Sequence, residues 1–300
     1  MAESMAAIGD VELCYETFGD PGDPAILLVM GLATQMIGWH DDFCAQLAER
    51  GFHVIRFDNR DIGRSTKLAD VPPPTTWQII RMDRRAAAYT LDDMADDAIG
   101  LLDHLGIERA HVVGASMGGM IAQAIAIRHP DRVLSLVSIM SNTGGRWSGL
   151  PALKILPTFL KRAPRDREAI AAHTVAVFEA IGSPGYPPDE AELRQTAYRS
   201  HERGIDPAGS ARQLAAILAA PDRTNDLRRL RVPTLVIHGA ADKMVLPRNG
   251  RNTAKAVPGA RLMLVEGMGH DLPRALWPRL LDAIEENAAR AATAGSPTPG

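Results

Sequence analysis

Ala110-His111-Val112-Val113-Gly114-Ala115-Ser116-Met117-Gly118-Gly119 is the most informative stretch of this chain. Ala110 to Val113 is a short apolar run with the length of a buried strand, and the residues from Gly118 to Arg128 form an apolar stretch of helical length. Between them stands Gly-x-Ser-x-Gly, with almost no residues to spare for the reversal. A strand that turns this sharply into a helix forces the backbone of Ser116 into a strained conformation and leaves its Oγ standing clear. Gly114 and Gly118 carry no side chain, so strand and helix can approach closely around that turn. Pattern alone also fits a phosphate-binding turn or a plain tight turn. The partners that the rest of the chain supplies separate these readings.

On either side of this stretch, strands alternate with helices. Val11 to Glu16 alternates like an exposed edge strand. Ala25 to Met30 is continuously apolar, as a strand covered on both faces must be. A helix follows over Asp41 to Arg50, with Gly51 placed to cap it, and His53 to Phe57 is the next strand. Thr90-Leu91-Asp92-Asp93 has the form of a capping box and opens a helix ending at Leu105-Gly106. Val133 to Ile139, Thr234 to His238 and Arg261 to Val265 are further strands, and a last helix spans Ala275 to Ala289. This order predicts an α/β architecture, a mostly parallel sheet with helices on both faces. The expected division is a core over 1–141, a helical cap over 142–230, the second part of the core over 231–290 and a disordered tail over 291–300.

Two segments break the rhythm. Lys67 to Tyr89 holds Pro72-Pro73-Pro74 and then Arg81, Arg84 and Arg85; it reads either as a solvated excursion or as part of a site rim. The helical stretch from Asn142 to about Leu230 lies between two sheet strands, and an insertion of that length is expected to be functional, as a lid or cap. Its apolar residues Leu150, Leu153, Leu156, Phe159, Leu160 and Phe178 fit either a cap core or a greasy pocket wall.

Composition excludes other classes. The 300 residues are 46% hydrophobic and 23% charged, ordinary for a globular protein. The net charge of −3, from 33 basic and 36 acidic residues, gives no basic field for nucleic acid. The longest apolar run, Ala25 to Ala33, is too short to span a bilayer. Met1 to Asp10 has neither the basic nor the apolar part of a secretory signal, so a cytoplasmic location is expected. Two cysteines, Cys14 and Cys44, make no disulfide framework and are expected to be buried thiols. There is no CxxC or HExxH, so no metal is expected, nor any other cofactor.

A serine hydroxyl is a poor nucleophile until a base takes its proton. Of nine histidines, His270 stands in Glu266-Gly267-Met268-Gly269-His270, just past a strand, where two glycines let the loop carry an imidazole over the C-terminal edge of the sheet. His111 begins a strand and belongs at the other edge. His238 closes a strand and reads as structural; His40, His104, His129, His173 and His201 fall on helices or their ends. The carboxylate that would orient the base is Asp242, in Gly239-Ala240-Ala241-Asp242 directly after a strand. An oxyanion hole is expected from the backbone N–H groups of Met117 and of Leu32, the latter in the turn Met30-Gly31-Leu32-Ala33.

At these residues the chain resembles the α/β hydrolase superfamily. Leu27-Leu28-Val29-Met30-Gly31-Leu32, Gly38-Trp39, Val54-Ile55-Arg56-Phe57-Asp58-Asn59-Arg60-Asp61-Ile62-Gly63-Arg64-Ser65, His111 to Gly119 and Gly267-Met268-Gly269-His270 are similar to the aclacinomycin methylesterase group of bacterial carboxylesterases. The likeness covers about Gly9 to Ser141 and Val232 to Leu281, and leaves the cap unmatched. It implies a Ser-His-Asp triad of Ser116, His270 and Asp242 without metal, and oxyanion donors at Leu32 and Met117. Met30 stands where many relatives carry histidine. The expected function is hydrolysis of a small-molecule carboxylic ester through an acyl-enzyme. Cofactor-free perhydrolases, which share the Ser-Met-Gly-Gly run, are the alternative, and a ligand receptor on the same fold is a third reading.

Overall fold

The computed structural model describes residues 2–145 and 166–294. Among them, eight strands form one sheet in the order β1-β2-β4-β3-β5-β6-β7-β8. They are β1 (Ser4–Ile8), β2 (Val11–Phe18), β3 (Ala25–Val29), β4 (His53–Phe57), β5 (Ala110–Ala115), β6 (Val133–Ile139), β7 (Thr234–Gly239) and β8 (Arg261–Val265). β1 and β2 pair antiparallel, as do β2 and β4; every later pairing is parallel.

Alternation across the pleat divides the core into two. Leu27, Val29, Ile55 and Val112 face α3 (Leu91–His104) and α4 (Met117–Arg128). Ile26, Leu28, Val54, Val113 and Val137 face α1 (Asp41–Glu49) and the C-terminal helix, which packs through Trp277, Leu280, Leu281 and Ile284. Both faces of β3 to β6 are therefore covered, which is why those strands read as unbroken apolar runs. The Thr90 capping box is present, with Thr90 Oγ1 accepting from Asp93 N–H and the Asp93 carboxylate accepting from Thr90 N–H at 2.7 Å.

Between β6 and β7 lie α5 (Arg167–Ile181), α6 (Glu190–Arg203), α7 (Pro207–Ala219) and the single turn α8 (Thr224–Leu227). Two desolvated ion pairs fix these helices to the loop after β4. Arg212 bonds both oxygens of Asp61, at 2.7 and 2.8 Å. Arg203 bonds Asp58, whose other hydrogen bonds come from Met36 N–H and Arg64 N–H. α9 (Arg248–Ala256) and α10 (Trp277–Ala294) complete the chain in sequence order.

Some expectations are corrected. β2 is not the edge strand, because β1 pairs along it; β1 is a short Ser-Met-Ala-Ala-Ile run with little intrinsic strand preference. The last helix runs to Ala294 rather than stopping near Ala289. Residues 291–294 are therefore helical and not part of a disordered tail, since alanine is the strongest helix former and nothing there breaks the ladder. Residues 295–300, and of the apolar insertion residues Leu150, Leu153, Leu156, Phe159 and Leu160, lie outside the described residues. The 67–89 excursion holds the short helix α2 (Thr76–Ile80) and a 3₁₀ turn at Arg84–Ala86 packed on α7; Arg81, Arg84 and Arg85 are all exposed. Cys14 and Cys44 are free and buried, and burial pushes both thiols up to about 12. No described helix is long and apolar enough to cross a membrane.

His111 sits near the start of β5, buried, with Nδ1 2.8 Å from Ser135 Oγ. Burial, aided by the charge of Arg109, lowers its pKa to about 4. The unfolded chain protonates this ring from about pH 6.5 downward while the folded chain keeps it neutral. The associated stability is therefore present above pH 6.5 and lost as pH falls toward 4, by about 3 kcal/mol. Denaturant unfolding of wild type and His111→Asn at pH 7 and pH 4.5 checks this. Wild type should lose stability more steeply, and parallel losses would refute it.

Candidate active site

Every residue singled out for chemistry comes from the C-terminal edge of the sheet. Ser116 follows β5 with φ 57° and ψ −119°, a left-handed conformation unusual for a residue with a side chain. It is held there by Ser116 N–H donating to Ile139 O at 2.9 Å and by Ser141 Oγ donating to Ser116 O at 2.8 Å. The glycines are needed for close packing. A methyl at Gly114 would stand 2.1 Å from Gly118 O, and one at Gly118 would stand 2.1 Å from Val29 O. Ala33, Asp61 and Met140, in the loops after β3, β4 and β6, also have positive φ. Backbone strain thus concentrates along this edge, as it does at functional sites generally.

His270 lies on the loop after β8, where Gly267 has φ 73°. Its Nε2 is 3.0 Å from Ser116 Oγ, and its Nδ1 is 2.8 Å from Asp242 Oδ2. The loop is pinned to the end of α5 and the chain just beyond it: His270 N–H donates to Ile181 O, and Gly269 N–H donates to Ser183 Oγ, each at 2.8 Å. Ser183 Oγ also bonds Asp271 Oδ1, and burial raises the pKa of that carboxyl.

Asp242 has a wholly buried side chain. Its Oδ1 accepts from Met244 N–H at 2.8 Å and Val245 N–H at 2.9 Å, which leaves Oδ2 for His270. A second imidazole approaches the same oxygen: His238 Nε2 lies 3.5 Å from Asp242 Oδ2 while donating to Val245 O at 2.7 Å. Burial lowers the pKa of His238 and keeps the ring neutral. In the sequence His238 reads as structural; its contact with Asp242 has no signal there, because the two meet only through the turn after β7.

Met117 is the first residue of α4, so its N–H has no acceptor within the helix. The Gly31–Thr34 turn runs beside Ser116: a methyl on Gly31 would lie 3.1 Å from Ser116 Cβ and 3.6 Å from Oγ. Asn59 Nδ2 donates to Met30 O at 3.0 Å, and Gln213 Oε1 accepts from Ala33 N–H at 2.9 Å. Asn59 and Gln213 carry no nucleophile or base, and nothing local marks them as parts of this site. Among the described residues, no cluster of three or more His, Cys, Asp or Glu side chains could hold a metal ion.

A mostly parallel sheet with a strained serine turn after β5, and with an imidazole and a carboxylate delivered by the loops after β8 and β7, is the architecture of an α/β hydrolase. The family model for the α/β hydrolase fold matches residues 24–273. The chain belongs to this family. It is 30% identical to rhodomycin D methylesterase of Streptomyces peucetius, over 95% of this chain and 97% of that protein. It is 28% identical to 3-oxoadipate enol-lactonase 2 of Acinetobacter baylyi, over 86% of each. Among solved structures, the enol-lactonase of Burkholderia xenovorans superposes with a TM-score of 0.68 at 26% identity, covering 97% of this chain and 100% of that one.

Proposed function

We propose that the protein is a serine hydrolase of small-molecule carboxylic esters, with Ser116 as nucleophile, His270 as general base and Asp242 as the group that orients it. The observation that carries this reading is the continuous path Ser116 Oγ–His270 Nε2 at 3.0 Å and His270 Nδ1–Asp242 Oδ2 at 2.8 Å. Asp242 accepts a hydrogen bond from Nδ1–H, which keeps the ring proton on Nδ1, so Nε2 is free to take the proton of Ser116 as Oγ attacks the ester carbonyl. The tetrahedral oxyanion is received by the N–H groups of Met117 and Leu32, each worth ~3 kcal/mol in the transition state. His270 then returns its proton to the leaving alkoxide, and an acyl-serine remains. Water attacks this intermediate with His270 again as base, releasing the acid and restoring Ser116.

The names of the relatives point to oxygen esters, one a methyl ester and one an enol lactone. We place the boundary of a cap at 142–230, between two parts of one core, because α5 to α8 are inserted between neighbouring strands β6 and β7. The test is a panel of p-nitrophenyl esters from acetate to palmitate, aryl methyl esters and γ-lactones, alongside labelling by a fluorophosphonate. Turnover of at least one ester class, with a single label on the Ser116 peptide, is expected. No turnover and no label would overturn the reading.

A further inference from the structure

The excursion over 67–89 has firm feet and an exposed tip. At one foot, Leu68 N–H donates to Asp61 Oδ1 and Arg212 Nη1 donates to Val71 O, each at 2.9 Å. At the other, Tyr89 is buried with the Arg60 guanidinium 5.2 Å from its ring centroid, and the Arg84–Ala86 turn packs on α7. Between the feet, α2 is held by its own hydrogen bonds. Thr75 Oγ1 accepts from Gln78 N–H, and Gln78 Oε1 accepts from Thr75 N–H at 2.8 Å. At the other end Met82 N–H donates to Ile79 O at 3.0 Å and Asp83 N–H donates to Gln78 O at 2.9 Å. This is a Schellman stop, with Met82 at φ 49° in the left-handed position where glycine is usual.

The tip presents apolar and cationic groups together. Trp77 is 70% exposed, Ile80 64% and Met82 49%, so three of the six exposed large hydrophobic side chains among the described residues fall within this one short segment. Trp77 and Ile80, three apart on a helix, share a face. Arg81 sets its guanidinium 5.9 Å from the Trp77 ring centroid, and Arg84 and Arg85 are exposed beside it. The one carboxylate over 71–90 is Asp83, 3.6 Å from Arg85 Nε, which leaves Arg81 and Arg84 without an ion pair among the described residues. The tip is therefore locally cationic in a chain whose net charge is −3.

We propose that the 76–85 tip docks the protein on an anionic lipid bilayer: Trp77, Ile80 and Met82 enter the headgroup layer, and Arg81, Arg84 and Arg85 stay among its phosphates. Indole rings settle at that depth, and guanidinium groups beside them are drawn by the negative surface potential. A two-fold contact with a second copy would instead bring this cationic patch against itself. α7, on which the foot of the tip packs, also carries Gln213, which bonds Ala33 N–H in the turn beside Ser116. One helix thus separates the docking element from the candidate site. Docking does not depend on the esterase reading; its use, access to ester substrates that partition into the bilayer, rests on it.

Flotation of the full chain with vesicles at millimolar lipid tests this. Wild type should float with vesicles of mixed phosphatidylcholine and phosphatidylglycerol and stay behind with phosphatidylcholine alone. Molar salt should release most of it, because the screening length falls to about 3 Å. Arg81→Gln, Arg84→Gln and Arg85→Gln together should lower the partition coefficient about a hundredfold, about fivefold per charge. Trp77→Ala alone should lower it about tenfold. All four side chains are exposed, so both variants should melt near the wild-type temperature. No flotation of wild type, equal flotation with both lipids, or flotation kept in full by both variants would overturn the proposal. So would a concentration-dependent dimer that Trp77→Ala abolishes, which would make a second copy the occupant. None of these outcomes bears on the esterase reading, which the ester panel decides.

Discussion

Ser116→Ala should reduce kcat for ester hydrolysis by about 10⁶, the loss expected when the nucleophile of such a triad is removed. The alanine loses only Oγ, and the turn that carries it stays closed by Ser116 N–H to Ile139 O and by Ser141 to the carbonyl of 116. Alanine tolerates the left-handed φ no better than serine does, so stability should change little. The variant should therefore melt near the wild-type temperature and still bind a ground-state ester. Parallel progress curves on one p-nitrophenyl ester, at high enzyme concentration for the variant, decide it. A loss of less than about a hundredfold would show that another group attacks the carbonyl.

Asp242→Asn should cost about 10⁴ in kcat, and the structure says why the amide cannot adapt. Oδ1 of residue 242 accepts from Met244 N–H and Val245 N–H. An asparagine amide has to keep its oxygen at those two donors, which turns its NH₂ toward His270 Nδ1. The ring must then accept at Nδ1 and carry its proton on Nε2, facing Ser116 Oγ, where it cannot act as base. Buried volume and both loop hydrogen bonds are conserved, so folding should survive. Steady-state kinetics together with imidazole ¹⁵N shifts of His270 test the claim. The tautomer should invert as the rate falls, and a rate drop without that inversion would place the role of Asp242 elsewhere.

Much of this was legible in the chain because the relevant signals are local. The turn at Ser116 is written in two glycines spaced around a serine, and the strands β3 to β6 in apolar runs that only a doubly covered sheet demands. Ser116, Asp242 and His270 could be picked because each follows a strand at the same edge. β1 was not legible: a run in which only Ile8 favours a strand becomes one because β2 offers an unpaired edge. The end of α10 was missed for the opposite reason, since small residues before a proline-containing tail look like tail until the helix ladder is seen running through them. Gln213, Asn59 and the approach of His238 to Asp242 were out of reach. The two amides acquire their partners from far away in sequence, Gln213 meeting Ala33 across a separation of 180 residues, while His238 meets Asp242, four residues on, only through the turn after β7.

The three residues of the proposed triad also arrive at very different times when the chain is made. The serine turn has its full set of partners only once Ile139 and Ser141 have been made, but Asp242 comes after the insertion and His270 only after β8. A nascent chain thus carries that serine for more than a third of its synthesis before the proposed base is made. Turnover on this reading is a signal that the whole sheet has closed, so regain of esterase activity during refolding would report the docking of β8 and not the formation of the serine turn.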